Sequence, residues 1–379
     1  MRMTRVDDHS LGPGPIFFPG GNTRLGFHSF FEHVAGGEAR RTYILKGGPG
    51  VGKSTFMGSI AREVNAQGHP VEYHLCASDT DSIDAVYFPG LGAAVMDGTS
   101  PHMMDPVSPG VTEMIVNLGD YWDASILRAN RERIRVISEE TSAHFTAAFA
   151  HLAPAGSCAE ARDDLLGCHP PQHDDATLRQ VRAITEFILS SRESDDPAPH
   201  LRRERHLFLS AITPQGTVTA AGRLAEAADT CWIIEDETSI ISDFAISQVL
   251  SLARLHGLRC WVFHCGLDPA KLEHCFLPEI GLCILAARPG AARDSSSEVG
   301  VLQVSWPTAG QSRELSSAAR DLHGAVDDAL RRAVTELAAA RDSHRRLEEY
   351  YTPAMDFSRV DLRRDQLIEE ILTLAGEGG

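Results

Sequence analysis

Short apolar runs and stretches of helical periodicity alternate along most of this 379-residue chain. Residues 42–45 form the first clear β-rich run. After a glycine-rich break, apolar residues recur at helical spacing up to Gly68: Phe56, Met57, Ile60, Ala61 and Val64. Alternating strands and helices are typical of α/β proteins with mostly parallel sheets. The pattern therefore predicts an α/β fold.

The same pattern occurs twice along the chain. Segment 43–101 aligns with segment 232–289 at a nearly constant shift, since Gly257 lies 189 residues after Gly68. The other coinciding positions are Cys76 with Cys265, Asp79 with Asp268, Pro89 with Pro278 and Gly92 with Gly281. We therefore predict two tandem domains of one three-layer α/β type, at residues 1–190 and 206–379, with a linker at 191–205.

Amphipathic helices are predicted after each copy of the repeated segment. Apolar residues at helical spacing cover 123–152 and 176–189 in the first half, and 315–347 and 361–374 in the second. A long helix thus follows each copy, which supports the duplication. Between the halves, Asp195, Pro197 and Pro199 are typical of a linker.

Composition narrows the class of partner. The chain carries 52 acidic and 35 basic residues, for a net charge of −17. This argues against a nucleic-acid partner, because binding a polyanion needs a basic surface. No apolar run is long enough for a bilayer, and residues 1–15 lack the apolar core of a signal peptide. We therefore expect a cytoplasmic protein without membrane contact, with buried thiols rather than disulfides; a homo-oligomer stays open.

The break after the first strand fits the phosphate-loop pattern G-x-x-x-x-G-K-[ST]. It consists of Gly47, Gly48, Pro49, Gly50, Val51, Gly52, Lys53 and Ser54, followed by Thr55. A strand before this pattern and a helix after it are the context in which such a loop binds phosphate. Lys53 would contact the β- and γ-phosphates, and the Ser54 hydroxyl would ligate Mg²⁺. The loop predicts a nucleoside triphosphate site, with ATP and Mg²⁺ as the expected ligands.

Acidic residues follow two of the predicted strands. The apolar run 92–96 ends in Asp97, the Walker B pattern of a residue that organises Mg²⁺. After the second strand, near His74 and Cys76, the chain carries Asp79, Asp81 and Asp84. Ligands bind outside the carboxyl ends of strands in such sheets, so Asp79 is a candidate catalytic base. Alternatively, Asp79 and Asp81 cap a following helix.

The second copy has acids where the first has its phosphate loop. Glu235, Asp236 and Glu237 replace the glycines there, Ser242 takes the place of Lys53, and Asp243 that of Ser54. Carboxylates repel phosphate, so we predict that the second half binds no nucleotide. Its acidic loop either faces water or meets a cation or a basic surface.

Three further features leave their roles open. The turn at Gly20-Gly21-Asn22 could contact a base or a ribose, or be a plain turn. Candidate transition-state cations are Arg24, Arg40 and Arg41. Structural zinc is not expected, because His74 with Cys76, and Cys168 with His169 and His173, lack a second ligand pair at suitable spacing.

Several motifs lie outside the loop itself. They are Met96-Asp97-Gly98-Thr99-Ser100-Pro101-His102, Asn117-Leu118-Gly119-Asp120, and Tyr350-Tyr351 followed by Met355-Asp356-Phe357. With the loop, they resemble a family of bacterial tandem P-loop ATPases, loosely described as nucleotide-kinase-like. The resemblance covers nearly the whole chain and implies a phosphate loop in each half. This chain departs from it in the second half, so the resemblance implies one nucleotide site here and supplies no substrate.

The expected function is that of a Mg²⁺-dependent ATPase whose second half serves as a scaffold or regulatory partner. One alternative is a kinase acting on a small molecule or nucleotide, with Asp79 as base. Another is a nucleotide-gated interaction module whose long helices bind a protein partner.

Overall fold

The computed structural model describes residues 3–5, 11–165, 175–191, 204–235, 239–287 and 313–377. In the first half the strands are β1 (Thr4–Arg5), β2 (Ile16–Phe17), β3 (Gly20–Thr23), β4 (Gly26–Ser29), β5 (Arg41–Lys46), β6 (Glu72–Leu75), β7 (Ile83–Phe88), β8 (Ala93–Asp97) and β9 (Glu113–Asn117). The helices of this half are α1 (Lys53–Ala66), α2 (Ala124–Ala129), α3 (Arg131–Leu165) and α4 (Asp175–Ser190).

The second half contains a similar set of elements. Its strands are β10 (Glu204–Phe208), β11 (Ser210–Thr213), β12 (Gly216–Thr219), β13 (Thr230–Glu235), β14 (Cys260–His264), β15 (Leu272–Leu277) and β16 (Leu282–Ala287). Its helices are α5 (Ala221–Glu226), α6 (Ile240–His256), α7 (Arg313–Tyr351) and α8 (Phe357–Thr373).

Two sheets share one strand order over five strands, and the first has β9 in addition. The first runs β2-β6-β7-β8-β5-β9 and the second β10-β14-β15-β16-β13. In each, one strand, β7 or β15, is antiparallel to both neighbours, and the remaining pairings are parallel. The α/β class predicted from the sequence is therefore confirmed, and the repeat appears as a repeat of topology. Two phosphate-loop domains remain a prediction.

The register of the two sheets follows the spacing seen in the sequence. Ala85 pairs with Met96 between β7 and β8, and His274 pairs with Leu285 between β15 and β16. Each residue of the second pair lies 189 positions after its counterpart in the first, as Gly257 does after Gly68. Residues of the two halves can therefore be compared position by position.

The two halves share a hydrophobic core. Phe18 and Phe208 exchange backbone hydrogen bonds of 2.9 and 3.0 Å, and the ring of Phe17 stacks on that of Phe263 at 5.5 Å. All four phenylalanines belong to one cluster of buried residues from both halves. Burial of such aromatic surface stabilises the contact by removing apolar area from water.

The longest helices, α3 and α7, pair in antiparallel fashion. Near one end Glu140 accepts a hydrogen bond from Arg346 at 2.7 Å, and further along His144 lies 2.8 Å from Glu336. An apolar stripe lies between them, including Leu152, Leu330 and Leu337. Because α3 follows the first copy and α7 the second, the helix pair brings the halves together. Helix α8 then packs against α1 of the first half.

Helix prediction succeeded where apolar spacing was regular. Helices α4, α7 and α8 lie where 176–189, 315–347 and 361–374 predicted them. Region 123–152 differs, because it divides into α2 and α3 and α3 continues through Pro154 to Leu165. A proline normally argues for a helix end, which made this extension hard to predict.

Two expectations concern parts of the chain with few described residues. The linker at 191–205 lies largely outside the described residues, as do Cys168, His169 and His173.

Within the described ranges, no helix has both the length and the apolar character needed to cross a membrane.

Candidate functional site

The glycine-rich loop connects β5 to α1 in a tight turn. Gly50 has φ 66° and Gly52, which precedes the first residue of α1, has φ 88°. These left-handed conformations strain any residue with a side chain, so glycine is required at both positions. Val51 between them is fully buried and anchors the loop. The N-terminus of α1 is thereby held next to the carboxyl end of β5.

Lys53 holds the loop through its ammonium group. Its Nζ donates to the carbonyl oxygens of Gly47 at 2.9 Å and Gly48 at 3.1 Å. The same Nζ lies 3.5 Å from Asp97 Oδ2, and only 13% of the Lys53 side chain is exposed. A single positive charge thus lies between the loop and the end of β8.

Asp97 lies beside the loop because of strand register. Strand β8 is parallel to β5, with Asp97 paired to Leu45 two residues before the loop. Its Oδ1 accepts hydrogen bonds from the Thr99 backbone N at 2.8 Å and from Thr99 Oγ1 at 2.6 Å. These bonds fix the carboxylate and leave Oδ2 directed to Lys53. The structure therefore brings together Lys53, which the sequence predicted to contact phosphate, and Asp97, which it predicted to organise Mg²⁺.

Ser54 connects α1 to the antiparallel strand of the sheet. Its Oγ accepts a hydrogen bond from the backbone N of Ile83 at 2.9 Å, where β7 begins. In the second half, Asp243 Oδ1 accepts from the backbone N of Leu272 at 2.7 Å, where β15 begins. These are equivalent positions, so Asp243 replaces Ser54 in this contact.

Asp84 and His102 join Asp97 in a buried group. One ligand atom from each lies within 4.8 Å of those of the other two, and all three residues are buried. Burial, together with the nearby Asp97 carboxylate, raises the pKa of Asp84 to about 8. Burial also lowers the pKa of His102 to about 4, and Lys53 acts in the same direction. At neutral pH the group therefore favours a protonated Asp84 and a neutral His102.

Asp79 faces helix α7 of the second half. Its Oδ1 lies 3.9 Å from the Arg345 guanidinium and has no hydrogen-bond partner in the described structure. One turn later on α7, partial burial and the Asp79 carboxylate raise the pKa of Glu348. His344, on the same face, interacts electrostatically with Lys53 as well as with Asp79. Residues of α7 thus contribute charge to a site that the first half forms.

The end of α7 also packs directly on the loop. A Cβ added to Gly48 would lie 2.6 Å from the Tyr351 ring, and one added to Gly50 would lie 2.8 Å from Thr352 Oγ1. Thr352 Oγ1 itself donates to the Gly50 carbonyl at 3.3 Å. The two glycines therefore leave room for the protein's own C-terminal segment.

Two of the motifs outside the loop meet at this place. The backbone N of Asp356 donates to the Tyr121 carbonyl at 2.8 Å, and Trp122 and Met355 form an antiparallel bridge. The segment after Asn117-Leu118-Gly119-Asp120 is thereby attached to Met355-Asp356-Phe357. This contact holds the end of α7 against the glycine-rich loop.

The second half has a cavity where the first has its loop. The cavity measures about 330 Å³ and its lining includes Asp163, Asp164, Ser239, Asp243 and Lys271. Asp163 comes from α3 of the first half and pairs with Lys271 at 3.1 Å. Asp236 and Glu237 lie outside the described residues. Each half thus receives a long helix from the other at the position of its loop, and here the charged residues of the lining are acidic except for Lys271.

Other candidates from the sequence lie in structural contacts. Arg24 pairs with Glu160 of the first half at 2.5 Å and with Asp268 of the second half at 3.2 Å. Arg40 donates to the carbonyl oxygens of Leu91 and Leu374. Asn22 is buried and its Nδ2 donates to the carbonyl oxygens of Ala77 and Ile212.

Three further candidates from the sequence are Asp81, His74 and Cys76. Asp81 is exposed. His74 lies beside Arg205 at 3.4 Å, and Cys76 is close to Asp84. Within the described ranges, the single group of three or more metal-binding side chains is the one at Asp84. His74 and Cys76 therefore belong to no such group.

Sequence reasoning missed the contributions of His102 and of α7. His102 was part of a motif, but no spacing rule related it to Asp84. Arg345 and Tyr351 lie about 300 residues after the loop they approach, on a helix whose apolar spacing predicted only its packing. A charged face opposite the apolar stripe was the one available signal.

Comparison with models of protein families, with curated proteins and with solved structures finds no match for this chain. The resemblance to tandem P-loop ATPases therefore stays a prediction.

Proposed function

We propose that this chain binds ATP with Mg²⁺ at the loop of residues 47–55 and hydrolyses it. The observation that carries the proposal is the position of Lys53. Its ammonium donates hydrogen bonds to the loop carbonyls, in a turn whose glycines have left-handed backbone conformations. The same ammonium lies 3.5 Å from the carboxylate of Asp97, which Thr99 holds in place. A charge placed between a loop of backbone N–H groups and a metal-binding carboxylate suits a nucleoside triphosphate.

The residues present fit such a ligand. The backbone N–H groups at the start of α1 favour an anion, and Lys53 would exchange its loop carbonyls for phosphate oxygens. Ser54 and Asp97 would hold Mg²⁺, which when bound neutralises charge on the phosphates. Arg345 of α7 would add a second cation on the side of Asp79.

The second half is proposed to bind no nucleotide. Asp243 occupies the position of Ser54 and is bonded to the start of β15, and no lysine stands at the position of Lys53. The acidic lining of its cavity would repel phosphate. We propose that this half serves to position α7 on the active loop.

A kinase is the second candidate function. Asp79 Oδ1 is buried and has no hydrogen-bond donor in the described structure, so this carboxylate can accept a proton from an acceptor hydroxyl. An ATPase would release free phosphate, whereas a kinase would phosphorylate a metabolite. Incubation with Mg·ATP and a metabolite pool distinguishes them, and nucleotide binding without either product indicates an interaction module.

The Lys53→Ala variant tests the site. We expect calorimetry to find about one ATP bound per wild-type chain and a loss of at least about 100-fold in affinity in the variant, because charge-assisted contacts to phosphate are strong. Lys271→Ala is the matched control, since Lys271 lies at the acidic cavity of the second half.

Unchanged ATP affinity in Lys53→Ala would refute the site. Two ATP bound per wild-type chain would instead refute the proposal that the second half binds none. Loss of affinity in Lys271→Ala alone would place the nucleotide in the second half.

A further inference from the structure

Three buried side chains converge beside the loop, and one of them has a nitrogen without a hydrogen-bond partner in the described structure. Asp84, Asp97 and His102 are 6%, 8% and 7% exposed, and one ligand atom from each lies within 4.8 Å of the others. His102 Nε2 is 4.0 Å from Asp84 Oδ1, too far for a hydrogen bond. His102 Nδ1 is buried and has no hydrogen-bond partner in the described structure.

The fold holds these three residues firmly. Asp84 and Asp97 lie on the adjacent antiparallel strands β7 and β8, one position from the paired residues Ala85 and Met96. The imidazole of His102 stacks on the Phe31 ring at 4.4 Å with 12° between the planes. Ligand atoms held in place by strands and by ring stacking need little reorganisation to bind a metal ion.

With both carboxylates ionised, as metal binding requires, the charges of the group are not balanced by the protein alone. Two buried carboxylates face one ammonium, that of Lys53, which is 3.5 Å from Asp97 and also bonded to two loop carbonyls. Buried carboxylates are stable when they are paired or coordinate a metal. A divalent cation among the three side chains would supply the missing charge.

The ligand set indicates the class of metal. Mg²⁺ prefers oxygen ligands and keeps several waters, whereas imidazole suits transition metals. Two carboxylates with one imidazole are a set that Mn²⁺ or Fe²⁺ accepts. We propose that Asp84, Asp97 and His102 form a binding site for a divalent transition-metal ion of the Mn²⁺ type, which the protein binds without nucleotide.

This site goes beyond the proposed ATPase function and does not rest on it. The phosphate loop alone accounts for nucleotide binding, whereas the metal site needs Asp84 and His102, which no part of the loop contains. Asp97 belongs to both. A metal held here would lie next to Ser54, because Ser54 Oγ accepts a hydrogen bond from the backbone N of Ile83, the residue before Asp84.

The second half offers an internal contrast. The positions of Asp84 and Asp97 are taken there by Glu273 and Ala286, as the shared register shows. Glu273 accepts a hydrogen bond from Ser210 Oγ at 3.0 Å. With one of the two carboxylates absent, we expect no equivalent site, so binding should reach one metal ion per chain.

Mn²⁺ alone is the probe for this site. The full-length protein is freed of metal with a chelator and titrated with Mn²⁺ in the absence of nucleotide, and free Mn²⁺ is followed by electron paramagnetic resonance. We expect about one tightly bound Mn²⁺ per chain. A roughly 100-fold excess of Mg²⁺ should displace less than half of the bound Mn²⁺. Asp84→Asn and His102→Gln should each weaken Mn²⁺ binding by about 10-fold or more.

Two controls separate this site from folding and from the nucleotide site. Glu273→Gln, the matched change in the second half, should bind Mn²⁺ like the wild type. Lys53→Ala should bind Mn²⁺ at least as tightly, since it removes a neighbouring cation. Circular dichroism verifies that each variant is folded.

The wild-type titration decides the proposal even if a variant fails to fold. Absence of tight Mn²⁺ binding by the wild-type chain would overturn it, as would equal binding of Mg²⁺ and Mn²⁺. Unchanged Mn²⁺ affinity in folded Asp84→Asn and His102→Gln would also overturn it. Each of these results leaves the test of ATP binding by Lys53→Ala unaffected.

Discussion

At the scale of single residues, Asp97 combines two environments in one carboxylate. Oδ1 is satisfied by the backbone N and the hydroxyl of Thr99, whereas Oδ2 faces the ammonium of Lys53. The hydrogen bonds to Oδ1 do not need a negative charge, but the proposed binding of Mg²⁺ does. An amide at this position would therefore keep the local structure and lose the electrostatic role.

We predict that Asp97→Asn still binds ATP but releases phosphate at least about 100-fold more slowly than the wild type. The reason is that electrostatic groups acting on the phosphates contribute factors of this size. Steady-state phosphate release and calorimetry with ATP measure the two effects. Asp105→Asn, on a side chain that is 93% exposed, should behave like the wild type. Phosphate release at the wild-type rate in Asp97→Asn would mean that the metal is held elsewhere.

At the scale of elements, the loop and the end of α7 constrain each other. Gly50 has φ 66°, and a Cβ there would lie 2.8 Å from Thr352 Oγ1 and 3.0 Å from the Glu348 backbone. Two different requirements, backbone conformation and close approach, thus apply to one residue. The loop of the first half and the long helix of the second are therefore linked mechanically.

We predict that Gly50→Ala destabilises the protein by about 1–3 kcal/mol and weakens ATP binding, because it strains the backbone and displaces α7. The matched control is Gly324→Ala on α7, where the new Cβ would meet nothing within 4 Å. That change should stabilise the protein by up to about 1 kcal/mol through helix propensity. Denaturant unfolding measures both, and equal stabilities of Gly50→Ala and the wild type would contradict the packing described.

At the scale of the whole molecule, histidines gather where the two halves meet. His206 Nδ1 and His264 Nε2 lie 2.9 Å apart, and the first half contributes His28 and His33 nearby. Burial lowers the pKa of His264 to about 4, and the charges of the other three histidines act in the same direction. Burial also lowers the pKa of His206, and the Glu204 and Glu32 carboxylates act in the opposite direction.

We predict that His264 costs the protein stability as the pH falls from about 6.5 to about 4. In that range His264 binds more protons in the unfolded chain than in the folded one, so its contribution to the free energy of unfolding increases with pH. His264→Gln should reduce the difference in unfolding free energy between pH 7.5 and pH 5 by up to about 2 kcal/mol. Urea denaturation at both pH values measures it, with the partly exposed His69→Gln as control. If the difference in unfolding free energy between the two pH values is the same in His264→Gln as in the wild type, His264 is not a source of the pH dependence.

The sequence by itself determined the features that depend on local spacing. Loop residues 47–54, strand β5 and the buried face of α1, including Phe56, Ile60 and Val64, are where the pattern predicted them. Glycine conformation and hydrophobic periodicity act over a few residues, so they can be read along the chain. The repeat was also detectable, because helix ends and strand ends keep the same spacing in both halves.

Only the tertiary structure decided what lies around the loop. The approach of Tyr351 and Arg345 depends on how α7 crosses from the second half to the first. The convergence of Asp84, Asp97 and His102 depends on the antiparallel β7 and on the stacking of His102 on Phe31. Both result from the packing of surfaces far apart in the sequence, and local patterns of hydrophobic and polar residues do not encode which distant surfaces meet.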